Sequence, residues 1–187
     1  VFADEPTTFT DYNGESYSPI DYYDKYRGSI TLRQAVESSQ NIPFVKLMQE
    51  LTPQVSIKYL EKMGITSLNE KDENLSLALG GLDQGISPLE FAGAYSTIAN
   101  DGIYIQPTFY TNVEKHNGKT LIKANQKKKR VFSKEVAYIL KNLLTQPVLG
   151  QNGTATYCKI SGVDVAAKTG TTDENYDRWL CGFTPYY

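Results

Sequence analysis

The chain alternates between polar stretches and short blocks in which apolar residues return every three or four positions. From Thr31 the spacing turns helical: Leu32, Ala35, Val36 and Ser39 fall at i, i+3, i+4 and i+7, which predicts an inward-facing Ser39. Pro43 tolerates a helix start but not an interior, so a second helix follows Asn41, striped by Phe44, Val45, Leu47, Met48 and Leu51. A third runs from Thr52-Pro53, with the threonine as N-cap, to Gly64. Ser87-Pro88-Leu89-Glu90 is a capping box, and Phe91, Ala94, Tyr95 and Ile98 give that helix its apolar face. A fifth helix follows Ser133 on a stripe of Val136, Ile139, Leu140 and Leu143.

Strand signals are confined to two places. Ile103 to Ile122 reads as short strands closed near the middle by Asn117-Gly118, the favoured type I′ turn pair. Val163 to Thr172 and Arg178 to Thr184 read as two strands joined by the polar turn Asp173-Glu174-Asn175-Tyr176-Asp177. Residues 1–28 have no steady period and read as an irregular lead-in to a mainly helical part, 29–150, and a final strand pair within 160–187. There is no internal repeat. Helices first and strands last predict an α+β fold with helices packed on an antiparallel sheet. A chain of 187 residues suits one domain with a core of its own.

Charge and composition remove several classes of function. With 19 Lys+Arg against 21 Asp+Glu the net charge is −2, the wrong sign for a nucleic-acid binder. No apolar run approaches the ~18 residues of a membrane span, and the start lacks the cationic and apolar regions of a signal peptide. Cys158, Cys181 and the lone His116 are too few to build a zinc site without several carboxylates. The two cysteines read as isolated thiols in apolar sites, although a cystine is open to them outside the cytosol. His116 falls at the hairpin tip, a place for a solvated side chain rather than a triad member. Lys127-Lys128-Lys129-Arg130 reads as a solvated loop. Gly118-Lys119-Thr120 lacks the upstream glycine of a phosphate loop, since Val113 stands there, and Asn152-Gly153-Thr154 is a sequon of a kind that arises often by chance.

Two short motifs carry chemistry. Ser39-Gln40-Asn41 lies at the break between two helices, and Lys168-Thr169-Gly170-Thr171 lies inside a strand. A hydroxyl turned inward needs a partner or costs of order 1–3 kcal/mol, so Ser39 either bonds backbone or faces a polar cleft. A glycine inside a strand forfeits packing and often marks close approach of a ligand or another backbone, which singles out Gly170.

Together with Asn41-Ile42-Pro43-Phe44-Val45-Lys46-Leu47, Ala78-Leu79-Gly80-Gly81, Gly85 to Tyr95, Ala167 to Thr172 and Gly182-Phe183-Thr184-Pro185, these motifs resemble the transpeptidase domain of class A, bifunctional penicillin-binding proteins. The resemblance covers roughly Tyr26 to Pro185. It implies the penicillin-binding-protein/β-lactamase-like fold and an enzyme that attacks the D-Ala-D-Ala end of a peptidoglycan stem peptide through a serine acyl-enzyme, then passes the acyl group to an amine. β-Lactams are implied as trapping mimics. By the same resemblance Ser39 relays a proton toward the leaving group, and Asn41 hydrogen-bonds the donor peptide or a nearby lysine. Lys168 supplies positive charge beside Ser39. Thr169 and Thr171 hold the substrate carboxylate, the Thr171 N–H forms half of an oxyanion hole, and Gly170 lets an extended peptide lie along the strand. Strict strand alternation puts Lys168 and Thr169 on opposite faces, so one ligand meets both only where the strand twists or is approached edgewise.

One part of the pattern is missing. The family's Ser-x-x-Lys, which carries the nucleophile and its base, occurs nowhere in the chain: Ser38, Ser39 and Ser161 are followed three positions on by Asn41, Ile42 and Asp164. The chain is therefore expected to be one part of a transpeptidase domain, inert without an upstream segment. A DD-carboxypeptidase or serine β-lactamase on the same fold, and a β-lactam-sensing domain without turnover, are the alternatives. The implied chemistry needs no metal or organic cofactor. The implied setting is the outer face of the bacterial cytoplasmic membrane, with the anchor outside this chain.

Overall fold

A computed structural model describes residues 1–21, 25–172 and 175–186. Helix α1 (Leu32–Ser38) starts at a complete capping box on Thr31, whose hydroxyl takes the Gln34 N–H while the Gln34 side chain returns to the Thr31 N–H. It stops one residue short of the predicted stripe. Ser39 closes it in the left-handed region, φ 56° and ψ 43°, where its N–H still reaches the Ala35 carbonyl. Asn41 then opens α2 (Ile42–Leu51), and α3 (Pro53–Lys62) follows with proline in its first turn. Thr52 precedes α3 as expected but makes no side-chain cap, because its φ of 76° turns the chain between the two helices. Helix α4 (Pro88–Ala99) has the predicted Ser87–Glu90 capping box.

Helix α5 (Lys134–Leu144) is capped by Ser133, yet its inward face is turned by one residue from the predicted one. Ala137 is fully buried and Leu140, Lys141 and Leu144 flank it, whereas Val136 and Ile139 are 44% and 56% exposed. Lys141 lies on this side of the helix, its ammonium donating to the Asp101 carboxylate and to the Ala99 carbonyl at 3.1 Å. Helix α6 (Gln146–Leu149) follows directly.

Ten strands occur among the described residues, all in two-stranded antiparallel ladders. The segment expected to be irregular contains three of them: β1 (Phe2–Asp4), paired with β4 (Gly28–Ile30), and β2 (Phe9–Thr10), paired with β3 (Ser16–Tyr17). Strands of two or three residues are too short to show a period, which is why the sequence conceals them. β5 (Ile103–Ile105) pairs with β8 (Lys128–Arg130), so the basic run is a solvated strand rather than a loop. β6 (Asn112–Glu114) and β7 (Thr120–Lys123) form the predicted hairpin. Its turn is not type I′: only Gly118 has positive φ (+76°), and the Gly118 N–H bonds the Lys115 carbonyl, which makes a type I turn followed by a glycine bulge. β9 (Ala166–Thr171) and β10 (Arg178–Phe183) are the predicted final pair, with Lys168 opposite Cys181 and Gly170 opposite Trp179. Of the turn expected over residues 173–177, Asp173 and Glu174 lie outside the described residues, while the Asn175 N–H bonds the Thr172 carbonyl and the Thr172 N–H bonds the Asp177 carbonyl.

Two apolar clusters hold these pieces. Phe9, Ile42, Val45, Met48, Leu75 and Leu77 pack α2 against the segments on either side of it. Val148, Ala155, Val165 and Ala167 pack α6 beneath β9. The first cluster fixes the chain that follows Ser39, and the second fixes the strand that carries Lys168. Glu37 on α1 joins them by accepting the Asn152 N–H at 2.9 Å just past α6. Among the described residues no helix is long and apolar enough to cross a membrane.

Candidate active site

The two motifs meet although 129 residues separate them: the Lys168 ammonium donates to the Ser39 hydroxyl oxygen at 2.7 Å and to the Thr169 carbonyl at 2.8 Å. Burial withdraws that ammonium from water and lowers its pKa to about 8. A serine oxygen that accepts from a cation keeps its own O–H free to donate. Ser39 and Lys168 can thus hold a proton and a positive charge side by side.

The left-handed backbone at Ser39 makes this geometry expensive. A non-glycine residue there costs roughly 1–2 kcal/mol, and such a residue persists only where its surroundings over-determine it. They do so here. The Gln40 N–H bonds the Ala35 carbonyl, the Asn41 N–H bonds the Asp21 carboxyl, and the Asn41 side-chain amide donates to the Ile20 carbonyl at 2.7 Å. Asn41 makes no hydrogen bond to Lys168, so its amide carbonyl is the end left to meet a donor. Ser39→Gly relieves the backbone while deleting the hydroxyl. It is expected to leave the melting temperature unchanged or raised while slowing β-lactam acylation of the complete domain about tenfold or more; a rate equal to wild type would make the hydroxyl dispensable.

Thr169 faces away from Lys168, as alternation requires. Its hydroxyl bonds that of Thr154 at 2.8 Å, so Thr154, noticed in the sequence only as part of a sequon, is a neighbour of the site that sequence reasoning missed. Thr171 is exposed at the end of the same face. The edge of β9 away from β10 has no strand partner among the described residues. A Cβ built on Gly170 would meet only the Trp179 Cβ, at 3.8 Å, so this fold does not itself require glycine there. Trp179 stands edge-on to Phe91 of α4 at 5.7 Å, which seats the strand pair on that helix. The candidate residues therefore divide into a half-buried Ser39–Lys168 pair and a strand edge without a strand partner among the described residues, bearing Thr169, Gly170 and Thr171.

Elsewhere the polar side chains are structural or solvated. His116 is exposed at the hairpin turn, and Cys158 and Cys181 are free thiols. No group of three or more His, Cys, Asp or Glu side chains converges as a metal would need among the described residues.

A serine thus meets a half-buried lysine beside an open strand edge. The family described as "Penicillin binding protein transpeptidase domain" matches residues 2–186, and the chain belongs to that family. Its relatives include penicillin-binding proteins named 1A, 1F and 4. It is 36% identical over 176 residues to penicillin-binding protein 1A of Clostridium botulinum (strain Langeland), covering 94% of this chain and 21% of that protein. It is 37% identical over 175 residues to penicillin-binding protein 1F of Bacillus subtilis, covering 90% of this chain and 24% of that protein. The crystal structure of penicillin-binding protein 1A from Haemophilus influenzae shares the fold, with a TM-score of 0.82 at 24% identity over 97% of this chain and 32% of that one. The chain thus spans between a fifth and a quarter of the length of these two curated relatives.

Proposed function

We propose that this chain is part of a peptidoglycan DD-transpeptidase whose nucleophile, on a Ser-x-x-Lys segment, lies outside it. The observation that carries this reading is the 2.7 Å contact between Lys168 and Ser39. It brings a proton carrier and a cation to one point, as expulsion of a leaving group from a tetrahedral intermediate demands. The cation stabilises developing negative charge, and the hydroxyl hands a proton to the departing amine. The Lys168 ammonium then returns a proton to the Ser39 oxygen along the bond it already donates, leaving the serine hydroxyl restored and the lysine neutral. The free edge of β9 accepts the extended stem peptide as an added strand, and the space over Gly170 lets the peptide approach closely. Thr169 and Thr171 line that edge as ligands for the terminal carboxylate, and the Thr171 N–H is half of the oxyanion hole. The substrate places the site on the outer face of the bacterial cytoplasmic membrane, where β-lactams would trap the acyl-enzyme.

The test is product analysis of the protein that carries this chain, given a D-Ala-D-Ala donor peptide and an amine acceptor. Cross-linked product outweighing hydrolysed donor is the expected result. Hydrolysis alone would favour the DD-carboxypeptidase or β-lactamase alternative, and stable β-lactam binding without turnover of donor would favour the sensing alternative.

A further inference from the structure

Directly behind the Ser39-Gln40-Asn41 turn lie two carboxyl groups that the acyl-transfer chemistry does not use. Asp4, at the end of β1, and Asp21 are both almost fully buried, at 0% and 1% exposure. Each spends one oxygen on the turn. Asp4 Oδ2 accepts from the Gln40 side-chain amide and from the Arg27 N–H, both at 2.8 Å, and Asp21 Oδ1 accepts from the Asn41 N–H. The other oxygen of each, Asp4 Oδ1 and Asp21 Oδ2, is buried without a hydrogen-bond partner among the described residues. Both carboxyls are anchored on adjacent residues of one turn, Gln40 and Asn41, which brings the two buried groups together behind it.

Two buried carboxylates in contact repel, whereas a carboxylic acid and a carboxylate attract. One proton held by Asp21 and donated to Asp4 satisfies both orphaned oxygens at once. We propose that Asp4 and Asp21 form a proton-sharing carboxyl pair that holds the Ser39-Gln40-Asn41 turn in place beneath Lys168, and that both are positioning residues for acyl transfer. This rests on the acyl-transfer reading of Ser39 and Lys168.

The surroundings favour one proton. Burial and the Asp4 carboxyl raise the pKa of Asp21 to about 6, against the opposing pull of the Asn41 and Ile42 N–H groups. Among the charged groups on packed elements, Lys46 of α2 donates to the Ala3 carbonyl at 2.7 Å and lies 3.9 Å from Glu5, while Lys168 is committed to Ser39 and Thr169. The Arg27 N–H reaches Asp4, and the Lys25 carbonyl accepts the second Gln40 contact at 2.8 Å. Loss of the shared proton sets two carboxylates against each other under a turn that already carries a left-handed serine, and the turn loosens.

Asp21→Asn tests this in the complete protein, because an asparagine amide can donate to Asp4 without titrating. The wild type is expected to lose acylation rate about threefold or more, and some thermal stability, as pH rises from about 5 to about 7. Asp21→Asn should keep the low-pH rate across that range and stay more stable than wild type at its upper end. Difference infrared spectra should show a protonated-carboxyl C=O band in the wild type that fades over the same range and is missing from the variant. Parallel pH profiles for the two proteins would overturn the positioning role. Absence of the band, or a rise in stability on adding a divalent cation that Asp21→Asn abolishes, would overturn the shared proton in favour of unpaired carboxylates or a bound cation. A wild type that never acylates would sink the acyl-transfer reading and the positioning role with it, while the infrared band and the stability profile still decide the shared proton.

Discussion

Replacing Lys168 with alanine in the complete domain is expected to slow β-lactam acylation by about a hundredfold or more, on the order of 3 kcal/mol in the barrier. Among the described residues the ammonium makes the one hydrogen bond that joins Ser39 to β9, so its loss removes both the charge and the contact that orients the hydroxyl. Burial amplifies the effect, since a charge withdrawn from water acts on its neighbours through a low dielectric. The same burial means that the folded state holds the charged lysine at a cost. A pKa lowered from 10.5 to about 8 corresponds to a penalty of about 3 kcal/mol at neutral pH. Lys168→Met, which keeps most of the volume and drops the charge, should therefore match the alanine variant in lost acylation while denaturing at a higher denaturant concentration than wild type. A variant that acylates within about twofold of wild type would remove Lys168 from the mechanism.

The pH dependence gives the second large effect, with activity and stability moving in opposite directions. Lys168 is a cation below about 8, so acylation that depends on its charge declines as pH rises through that value. Stability does the reverse. The unfolded chain keeps the lysine proton up to about 10.5 and the folded chain releases it near 8, so between those values the unfolded state binds more protons and folding is favoured as pH rises. Acylation rates and denaturation midpoints measured across this range check both signs, and Lys168→Met should flatten the lysine-dependent part of the stability curve. A joint decline in activity and stability would mean that the alkaline loss is unfolding rather than titration at the site.

Much of this site is legible in the sequence for a specific reason. Ser39-Gln40-Asn41 and Lys168-Thr169-Gly170-Thr171 are short, but their helix-break and strand contexts follow from capping and periodicity, and the family order links the contacting side chains across a separation of 129 positions. What periodicity could not give is the conformation at Ser39. The i+7 position extends the α1 stripe by one residue, yet serine is no default left-handed residue, so nothing local announces the turn. The carboxyl pair was hidden for a related reason. Asp4 lies in a three-residue strand and Asp21 outside any regular element, and their burial depends on contacts with Gln40 and Asn41 that no spacing encodes. The rotated face of α5 shows the limit of an apolar stripe, since Lys141 lies on the side that packs. The antiparallel pair β9–β10, with long alternating strands, was the easiest part to read.

In the proposed reading this chain supplies Ser39 and Lys168 to an acyl-transfer site whose nucleophile lies on another segment. Peptide mapping of the intact parent protein after incubation with excess penicillin is the decisive measurement. An adduct is expected on the serine of a Ser-x-x-Lys peptide outside these 187 residues, formed slowly or not at all when Lys168 is alanine. An adduct on Ser39, or on any other residue of this chain, would contradict that reading.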